Sequence, residues 1–246
     1  MKKIIIVSNR LPLKVEKNEK SIVFTPTSGG LATGLKSIHE SDNALWIGWP
    51  GVEKEELDDS QLDEIQQSLR EMNFKPVHLS DKQVEDFYLG LSNKSIWPLF
   101  HYFKQNVVFD ENQWNSYVQV NEQFAQSIIE EISPGDTLWV HDYQLMLVPE
   151  LIRKQVPDVT IGFFLHIPFP SYEIFRIFPK RQEILSGLIG SDLIGFHTYD
   201  YQRHFLSSIK RILHLEVNFN TINNKGREVV VNTFPMGIDF EKFDAV

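Results

Sequence analysis

Short runs of apolar residues, rich in Val, Ile and aromatic side chains, recur at intervals along the chain. Most of these runs are continuously apolar and do not alternate between apolar and polar positions. Strands that are covered on both faces of a parallel sheet have this pattern. The pattern therefore predicts buried, mainly parallel strands at residues 4–7, 45–49, 137–140, 160–165, 192–196 and 228–234.

Helical patterns separate the predicted strands. In the first helical pattern, apolar residues recur at steps of three and four, so that they lie on one face of a helix opposite a face of charged and amide residues. These apolar residues are Leu62, Ile65, Leu69 and Met72. A second stripe consists of Tyr117, Phe124, Ile128 and Ile132, and three more helices are predicted over residues 144–154, 179–190 and 199–213. Alternating strands and helices predict an α/β domain with a doubly wound sheet. Polar residues 18–21 and 218–228 are predicted as hairpin tips.

Composition narrows the class of protein. With 246 residues and 42% hydrophobic content, the chain can bury the core of one large domain. A formal net charge of -9 argues against a nucleic-acid partner, because phosphate neutralisation needs clustered Lys and Arg, although a local anion site remains compatible with it. Cysteine is absent, which excludes disulfides and thiolate nucleophiles and is compatible with a cytoplasmic location.

The chain contains no predicted membrane segment. No apolar run approaches the roughly 20 residues that span a bilayer, so we expect no membrane partner. The N-terminus has two lysines followed by an apolar run at residues 4–7, which is too short for the hydrophobic region of a signal peptide, and we interpret it as a buried first strand.

Polar residues follow four of the predicted strands. Ligands of open parallel sheets bind outside the carboxyl ends of the strands, so Arg10, His141, Asp142, His166 and His197 are expected at one edge of the sheet. The guanidinium of Arg10 suits a phosphate, or it forms a surface ion pair. Asp142 can hold sugar hydroxyls and accept a proton, or it caps the helix that follows it. His166 is either part of an active centre or a structural residue.

Two further segments contain candidate binding residues. Gly29 and Gly30 precede a short helix, where backbone N–H groups can approach a diphosphate, although a glycine pair is also a common turn. Residues 87–102 combine aromatic rings, amides and a proline in a pattern too irregular for one amphipathic helix, which suits a sugar-binding wall. In this segment Tyr88 and Trp97 each pair an apolar ring with one polar group, and core packing is the alternative role.

The sequence predicts no metal site. It has no His-Glu-x-x-His helix, no cysteine pair and no Asp-x-Asp motif. The adjacent Asp58 and Asp59 stand at the start of an acidic predicted helix and are interpreted as a cap or as solvated charges.

Six short motifs carry a resemblance to a known family. The chain resembles the trehalose-6-phosphate synthases, which are retaining glycosyltransferases of the GT-B architecture, through Ser8-Asn-Arg-Leu-Pro12, Ser28-Gly-Gly-Leu31, residues 87–102, Trp139-Val-His-Asp-Tyr143, Phe164-Leu-His-Ile-Pro-Phe-Pro170 and Gly195-Phe-His-Thr-Tyr-Asp200. The resemblance implies a Rossmann-like fold that forms one half of a GT-B enzyme. It also implies transfer of glucose from UDP-glucose to glucose 6-phosphate with retention, with no cofactor apart from the donor substrate.

The resemblance also implies roles for individual residues. Arg10, Tyr88 and Trp97 would hold the phosphate of glucose 6-phosphate, and Asp142 would bind the acceptor sugar. Donor binding would fall to His166, near the reacting carbon, and to the glycine loop at Gly29 and Gly30. Asp142 and His166 are therefore the predicted catalytic residues. His141, His197 and Arg203 are interpreted either as structural residues or as residues that contact the site's own side chains.

In this family an acceptor-side domain precedes a donor-side domain. The resemblance implies that residues 1–246 are the N-terminal, acceptor-side domain, and the Arg-Leu-Asp-Tyr-x-Lys-Gly phrase of the donor side does not occur in them. We therefore expect the isolated chain to be inactive. Two alternatives remain open: a relative that glucosylates another phosphorylated acceptor, such as glycerol 3-phosphate, and a noncatalytic regulatory or binding subunit. A homo-oligomer is compatible with the sequence.

Overall fold

A computed structural model describes residues 2–18, 21–27, 30–40 and 43–237 of the chain. The strands are β1 (Ile4–Arg10), β2 (Leu13–Asn18), β3 (Ser21–Pro26), β4 (Ala44–Trp49), β5 (Phe74–Pro76), β6 (Thr137–His141), β7 (Thr160–Leu165), β8 (Leu193–Phe196), β9 (Glu216–Asn218), β10 (Thr221–Asn224) and β11 (Arg227–Thr233). Each of the six predicted strands is confirmed.

In the described part of the chain, nine strands form one sheet in the order β5-β4-β1-β6-β7-β8-β11-β10-β9. Every pair from β5 to β11 along this order is parallel. Only β10 runs antiparallel to its neighbours β9 and β11. The separate hairpin β2–β3 surrounds the predicted tip at residues 18–21, of which 19 and 20 lie outside the described residues.

The prediction for residues 218–228 was wrong in one respect. These residues contain the strand β10 between two turns and are not a single hairpin tip. Three of the four β10 residues are polar, and Ile222 alone is fully buried, so the segment has no apolar run. The turn at Lys225 and Gly226 has positive φ angles at both residues, as the turn-forming composition predicts.

The helices cover both faces of the sheet. They are α1 (Gly30–His39), α2 (Asp59–Glu71), α3 (Asp81–Gln83), α4 (Trp97–Phe100), α5 (Glu111–Ile129), α6 (Val148–Gln155), α7 (Tyr172–Phe175), α8 (Arg181–Leu188) and α9 (Tyr199–Ser208), with π-helices Val84–Ile96 and Ile209–Leu213 and 3-10 helices Lys54–Glu56, Lys104–Asn106 and Tyr143–Leu145. The predicted helices are confirmed. Asp58 caps α2 through the backbone N–H of Gln61, as predicted.

Strand β1 shows directly that both faces are buried. Ile5 and Val7 belong to one hydrophobic core, whereas Ile6 between them belongs to a second core on the opposite face. All three side chains are fully buried. A continuously apolar strand therefore packs against two layers, and the predicted doubly wound α/β fold is confirmed.

Residues 87–102 are helical, although not as one α-helix. They lie in the π-helix Val84–Ile96 and in α4, which begins at Trp97 directly before Pro98. A π-helix forms i to i+5 hydrogen bonds, so its buried side chains do not repeat with the 3.6-residue period of an α-helix. The expectation of an irregular segment was therefore right about the missing period and wrong in not predicting a helix.

Candidate active site

The carboxyl ends of the central strands meet at one edge of the sheet. Strands β4, β1, β6, β7 and β8 are consecutive neighbours and run parallel. At this edge Arg10, Tyr88 and Asp142 line a cavity of about 220 Å³. The structure thus brings three predicted site residues together, although they are far apart in sequence.

Arg10 ends β1 and rests against an aromatic ring. Its Cζ atom lies 5.0 Å from the centroid of the Trp49 ring, which ends the neighbouring strand β4. A guanidinium over an indole face is attracted by the ring quadrupole. Among the described residues, the Arg10 guanidinium has no hydrogen-bond or salt-bridge partner. Its planar fork of donors is therefore available to an anion.

Tyr88 lies on the π-helix Val84–Ile96 and is half-buried beside the same indole. The Tyr88 and Trp49 ring centroids are 6.0 Å apart in an edge-on arrangement. One turn later on this helix, Asn93 Oδ1 accepts a hydrogen bond of 3.0 Å from the Tyr143 hydroxyl. Because Tyr143 directly follows Asp142, this bond ties the π-helix to the loop that carries the carboxylate.

Asp142 follows β6 with an unusual backbone conformation, φ 72° and ψ 170°. Its Oδ1 accepts hydrogen bonds from the backbone N–H groups of Tyr143 at 3.0 Å and of His166 at 3.3 Å. Burial raises the pKa of Asp142 to about 6, while the two hydrogen bonds act in the opposite direction. Near pH 7 the group is mostly ionised and close enough to its pKa to exchange a proton.

Three histidines lie along the same edge: His141 is the last residue of β6, and His166 and His197 directly follow β7 and β8. His141 Nδ1 and His166 Nε2 are 3.0 Å apart, and the His166 and His197 ring centroids are 5.4 Å apart. Burial lowers the pKa of each of the three rings. For His141 and His166, the neighbouring imidazole lowers the pKa further. The cluster therefore remains neutral near pH 7.

This neutrality is open to direct measurement. The pKa of His166 is lowered to about 4, so its ring signals in a two-dimensional NMR titration should show no inflection between pH 8 and pH 5. We expect the same neutral imidazole with and without ligand at pH 7. An inflection of the His166 resonances near pH 6.5 would contradict the described packing.

Other predicted residues lie outside this cavity. Trp97 is 39% exposed and stacks on His101, with ring centroids 4.0 Å apart, and it does not line the cavity that contains Arg10. Gly30 begins α1 at the surface. Gly29 lies outside the described residues. The structure therefore groups Arg10 with Tyr88 but not with Trp97.

Two other cavities differ from the first in their lining. His141 and His166 border an apolar cavity of about 360 Å³, whose lining does not include Asp142. A larger cavity, about 980 Å³, is lined mainly by amide and charged side chains, many of them on α2 and α5, and contains none of the strand-end residues. Arg203 lies on the surface of α9 in an ion pair with Asp200.

Sequence reasoning missed Trp49. This residue also ends a strand at the same edge. Only polar residues at strand ends were considered as site candidates, and a tryptophan at such a position is normally interpreted as a core residue. Its Nε1–H donates to the Val52 carbonyl at 3.0 Å, which fixes the ring plane under Arg10. A search for aromatic strand ends beside a candidate arginine would have found it.

Across the described residues there is no group of three or more His, Cys, Asp and Glu side chains placed to hold a metal ion. The helices of the described chain include none that is long and apolar enough to cross a membrane. The fold and the edge cavity together define a Rossmann-like α/β domain with a pocket of about 220 Å³ at the carboxyl ends of its strands, lined by both polar and apolar side chains.

Comparison with protein families gives a closer assignment. The model of Glycosyltransferase family 20 matches residues 2–246. The chain belongs to glycosyltransferase family 20, and its domain corresponds to one half of a GT-B fold.

Curated and structural relatives agree with this assignment. The 56 kDa subunit of the UDP-forming α,α-trehalose-phosphate synthase of Saccharomyces cerevisiae is 46% identical over 98% of this chain and 50% of the relative. The N-terminal domain of Candida albicans trehalose-6-phosphate phosphatase is 32% identical with a TM-score of 0.85, covering 99% of this chain and 50% of that one. The chain spans about half the length of the Saccharomyces relative.

One solved relative was determined with a sugar phosphate. It is the UDP-forming α,α-trehalose-phosphate synthase of Burkholderia xenovorans in complex with glucose-6-phosphate, which is 28% identical with a TM-score of 0.77. The match covers 96% of this chain and 50% of that chain.

Proposed function

We propose that this chain is the acceptor-binding, N-terminal domain of a trehalose-6-phosphate synthase, which transfers glucose from UDP-glucose to glucose 6-phosphate with retention. The observation that carries the proposal is the cavity in which Arg10, Tyr88 and Asp142 converge. The relatives named as UDP-forming synthases support the donor and the product. The relative solved with glucose-6-phosphate supports the acceptor.

The cavity has the chemistry that a sugar phosphate requires. Arg10 offers an unpaired guanidinium to the phosphate, and Tyr88 offers a hydroxyl and a ring face. Asp142 offers a carboxylate to the sugar hydroxyls. A volume of about 220 Å³ suits a monosaccharide better than a nucleotide sugar, because ligand pockets for larger molecules are typically about 300–1,000 Å³.

In the proposed reaction, the bond between the anomeric carbon of the donor glucose and the UDP phosphate oxygen breaks. The anomeric oxygen of glucose 6-phosphate bonds that carbon on the same face, which retains the configuration. The proton of the attacking hydroxyl passes to the departing phosphate oxygen. Asp142 orients that hydroxyl through a hydrogen bond, and catalysis rests on positioning and charge stabilisation.

Donor contacts are proposed from the resemblance. His166 would face the donor glucose, and Gly29 and Gly30 would approach its diphosphate. The neutral state of His166 suits hydrogen bonding to a sugar hydroxyl. Trp97 stacks on His101 outside the lining of that cavity, and its contact with the acceptor phosphate is proposed from the resemblance alone. A cytoplasmic location and a homo-oligomer remain predictions.

A second function is favoured by one comparison. The domain from the Candida trehalose-6-phosphate phosphatase has a higher TM-score than the Burkholderia synthase, 0.85 against 0.77. A domain of this shape also occurs in a protein named for a different activity, so a noncatalytic sugar-phosphate-binding domain is the alternative. The two functions differ in whether this domain supports transfer when a donor-binding half is present.

An assay of transfer tests the proposal. The purified chain, given UDP-glucose and glucose 6-phosphate, should release no UDP, because the cavity accommodates only the acceptor. Joined to the donor-side half of the Saccharomyces relative, the same chain should form trehalose 6-phosphate and should prefer glucose 6-phosphate to glycerol 3-phosphate. A folded chimera that binds both substrates without turnover would favour the noncatalytic alternative.

A further inference from the structure

Gly51 lies beside the Nη2 edge of the Arg10 guanidinium. Its backbone has φ +85°, and an ideal Cβ built on it would overlap Arg10 Nη2 and lie 3.3 Å from Arg10 Cζ and 3.5 Å from Nε. The guanidinium thus occupies the space that any other residue at position 51 would need for its side chain.

Trp49 contacts the same guanidinium. The cation lies over the indole, 5.0 Å from the ring centroid, and its Nη2 atom lies beside Gly51, where a side chain would otherwise stand. Hydrogen bonds fix this loop: the Val15 N–H donates to the Pro50 carbonyl at 3.1 Å, and the Trp49 indole N–H donates to the Val52 carbonyl at 3.0 Å. The two residues beside the guanidinium, Trp49 and Gly51, therefore belong to one anchored segment.

Packing is what orients this guanidinium. Within the residues that the structure describes, no carboxylate and no carbonyl accepts a hydrogen bond from it. An arginine held by salt bridges would keep its direction after small steric changes nearby. Arg10 has no such partner, so the space between Trp49 and Gly51 sets where its donors point.

We propose that Gly51 is a positioning residue, which keeps the Arg10 guanidinium in place for the acceptor's phosphate. This inference rests on the proposed function, in which Arg10 binds that phosphate. A methyl group at position 51 displaces the mobile end of a long side chain and not the backbone. The fold therefore absorbs the substitution by moving Arg10, and the cost falls on phosphate binding.

The chain offers a matched control at Gly226. Gly226 has φ +86°, nearly the value of Gly51, but no atom lies within 4 Å of its ideal Cβ. Gly51→Ala and Gly226→Ala therefore both place an alanine at nearly the same positive φ, and only the first creates a collision with Arg10. A comparison of the two separates the effect on Arg10 from the general effect of alanine at positive φ.

The experiment is an NMR titration of each variant with glucose 6-phosphate and with glucose. Gly51→Ala should weaken glucose 6-phosphate binding toward the loss expected for Arg10→Ala, about tenfold to a hundredfold, and leave glucose binding within about twofold. Gly226→Ala should change neither. In an Arg10→Ala background, adding Gly51→Ala should have no further effect on either ligand.

Each outcome decides a separate point. If Arg10→Ala weakens glucose 6-phosphate binding but Gly51→Ala behaves like Gly226→Ala, Gly51 has no positioning role. Equal weakening of both ligands by Gly51→Ala, or loss of its fold while Gly226→Ala stays folded, would also overturn the inference. If Arg10→Ala itself leaves the preference for the phosphorylated sugar unchanged, the proposed function fails instead.

Discussion

The Arg10→Ala variant should bind glucose 6-phosphate about tenfold to a hundredfold more weakly, because a hydrogen bond that involves a charged group contributes roughly 1.5–3 kcal/mol. Glucose, which lacks the phosphate, should bind with unchanged affinity. Calorimetry or chemical-shift titration with both sugars measures the preference directly.

Arg203→Ala is the matched control for this prediction. Arg203 is also an exposed arginine, but it lies on α9 in an ion pair with Asp200, away from the cavity. Its removal should leave the binding of both sugars unchanged. If the two variants have the same affinity for glucose 6-phosphate, Arg10 does not hold the phosphate.

Asp142→Asn should weaken binding of glucose 6-phosphate and of glucose alike, because the carboxylate is proposed to bind hydroxyl groups of the glucose ring, which both ligands contain.

The Asp142→Asn substitution should also stabilise the folded chain at pH 7. Burial raises the pKa of Asp142 from 3.8 to about 6, so ionising it in the folded state is unfavourable. Removing that charge should increase the free energy of unfolding by about 1–3 kcal/mol.

The pH dependence of this effect has a definite sign. A carboxyl group with a raised folded pKa favours the folded state at low pH, and this contribution is lost as the pH rises through about 6. The stability difference between Asp142→Asn and the unchanged chain should therefore be largest above pH 6 and shrink toward pH 4. Denaturant unfolding at pH 7 and at pH 4.5 measures it.

Asparagine is a conservative probe at this position. Its amide oxygen can still accept hydrogen bonds from the backbone N–H groups of Tyr143 and His166, and its side chain has nearly the size and shape of aspartate. A folded variant that is less stable at pH 7 would contradict the burial of the charge. Unchanged sugar binding by that variant would remove Asp142 from the acceptor site.

The sequence predicted the sheet edge at which this site lies, and the reason is physical. Continuous apolar runs mark strands that are buried on both faces, and parallel strands place their carboxyl ends at one edge. Arg10 ends β1 and Asp142 follows β6, so the two residues could be grouped before the structure was known. The same reasoning grouped His141, His166 and His197, which the structure places side by side.

The rest of the site depends on tertiary packing that leaves no periodic signal. Tyr88 lies on a π-helix, whose turns do not follow the 3.6-residue period. Trp49 is buried like a core residue and still forms a wall for Arg10. Gly51 leaves room for the Arg10 side chain, and the sequence alone does not show which residue packs beside a given glycine.

A crystal structure of this chain with glucose 6-phosphate tests the central claim most directly. Our account predicts the sugar in the cavity of about 220 Å³, with phosphate oxygens within hydrogen-bonding distance of the Arg10 guanidinium and a sugar hydroxyl on the Asp142 carboxylate. Glucose 6-phosphate bound elsewhere, such as in the polar cavity of about 980 Å³, with this pocket free of sugar, would contradict it.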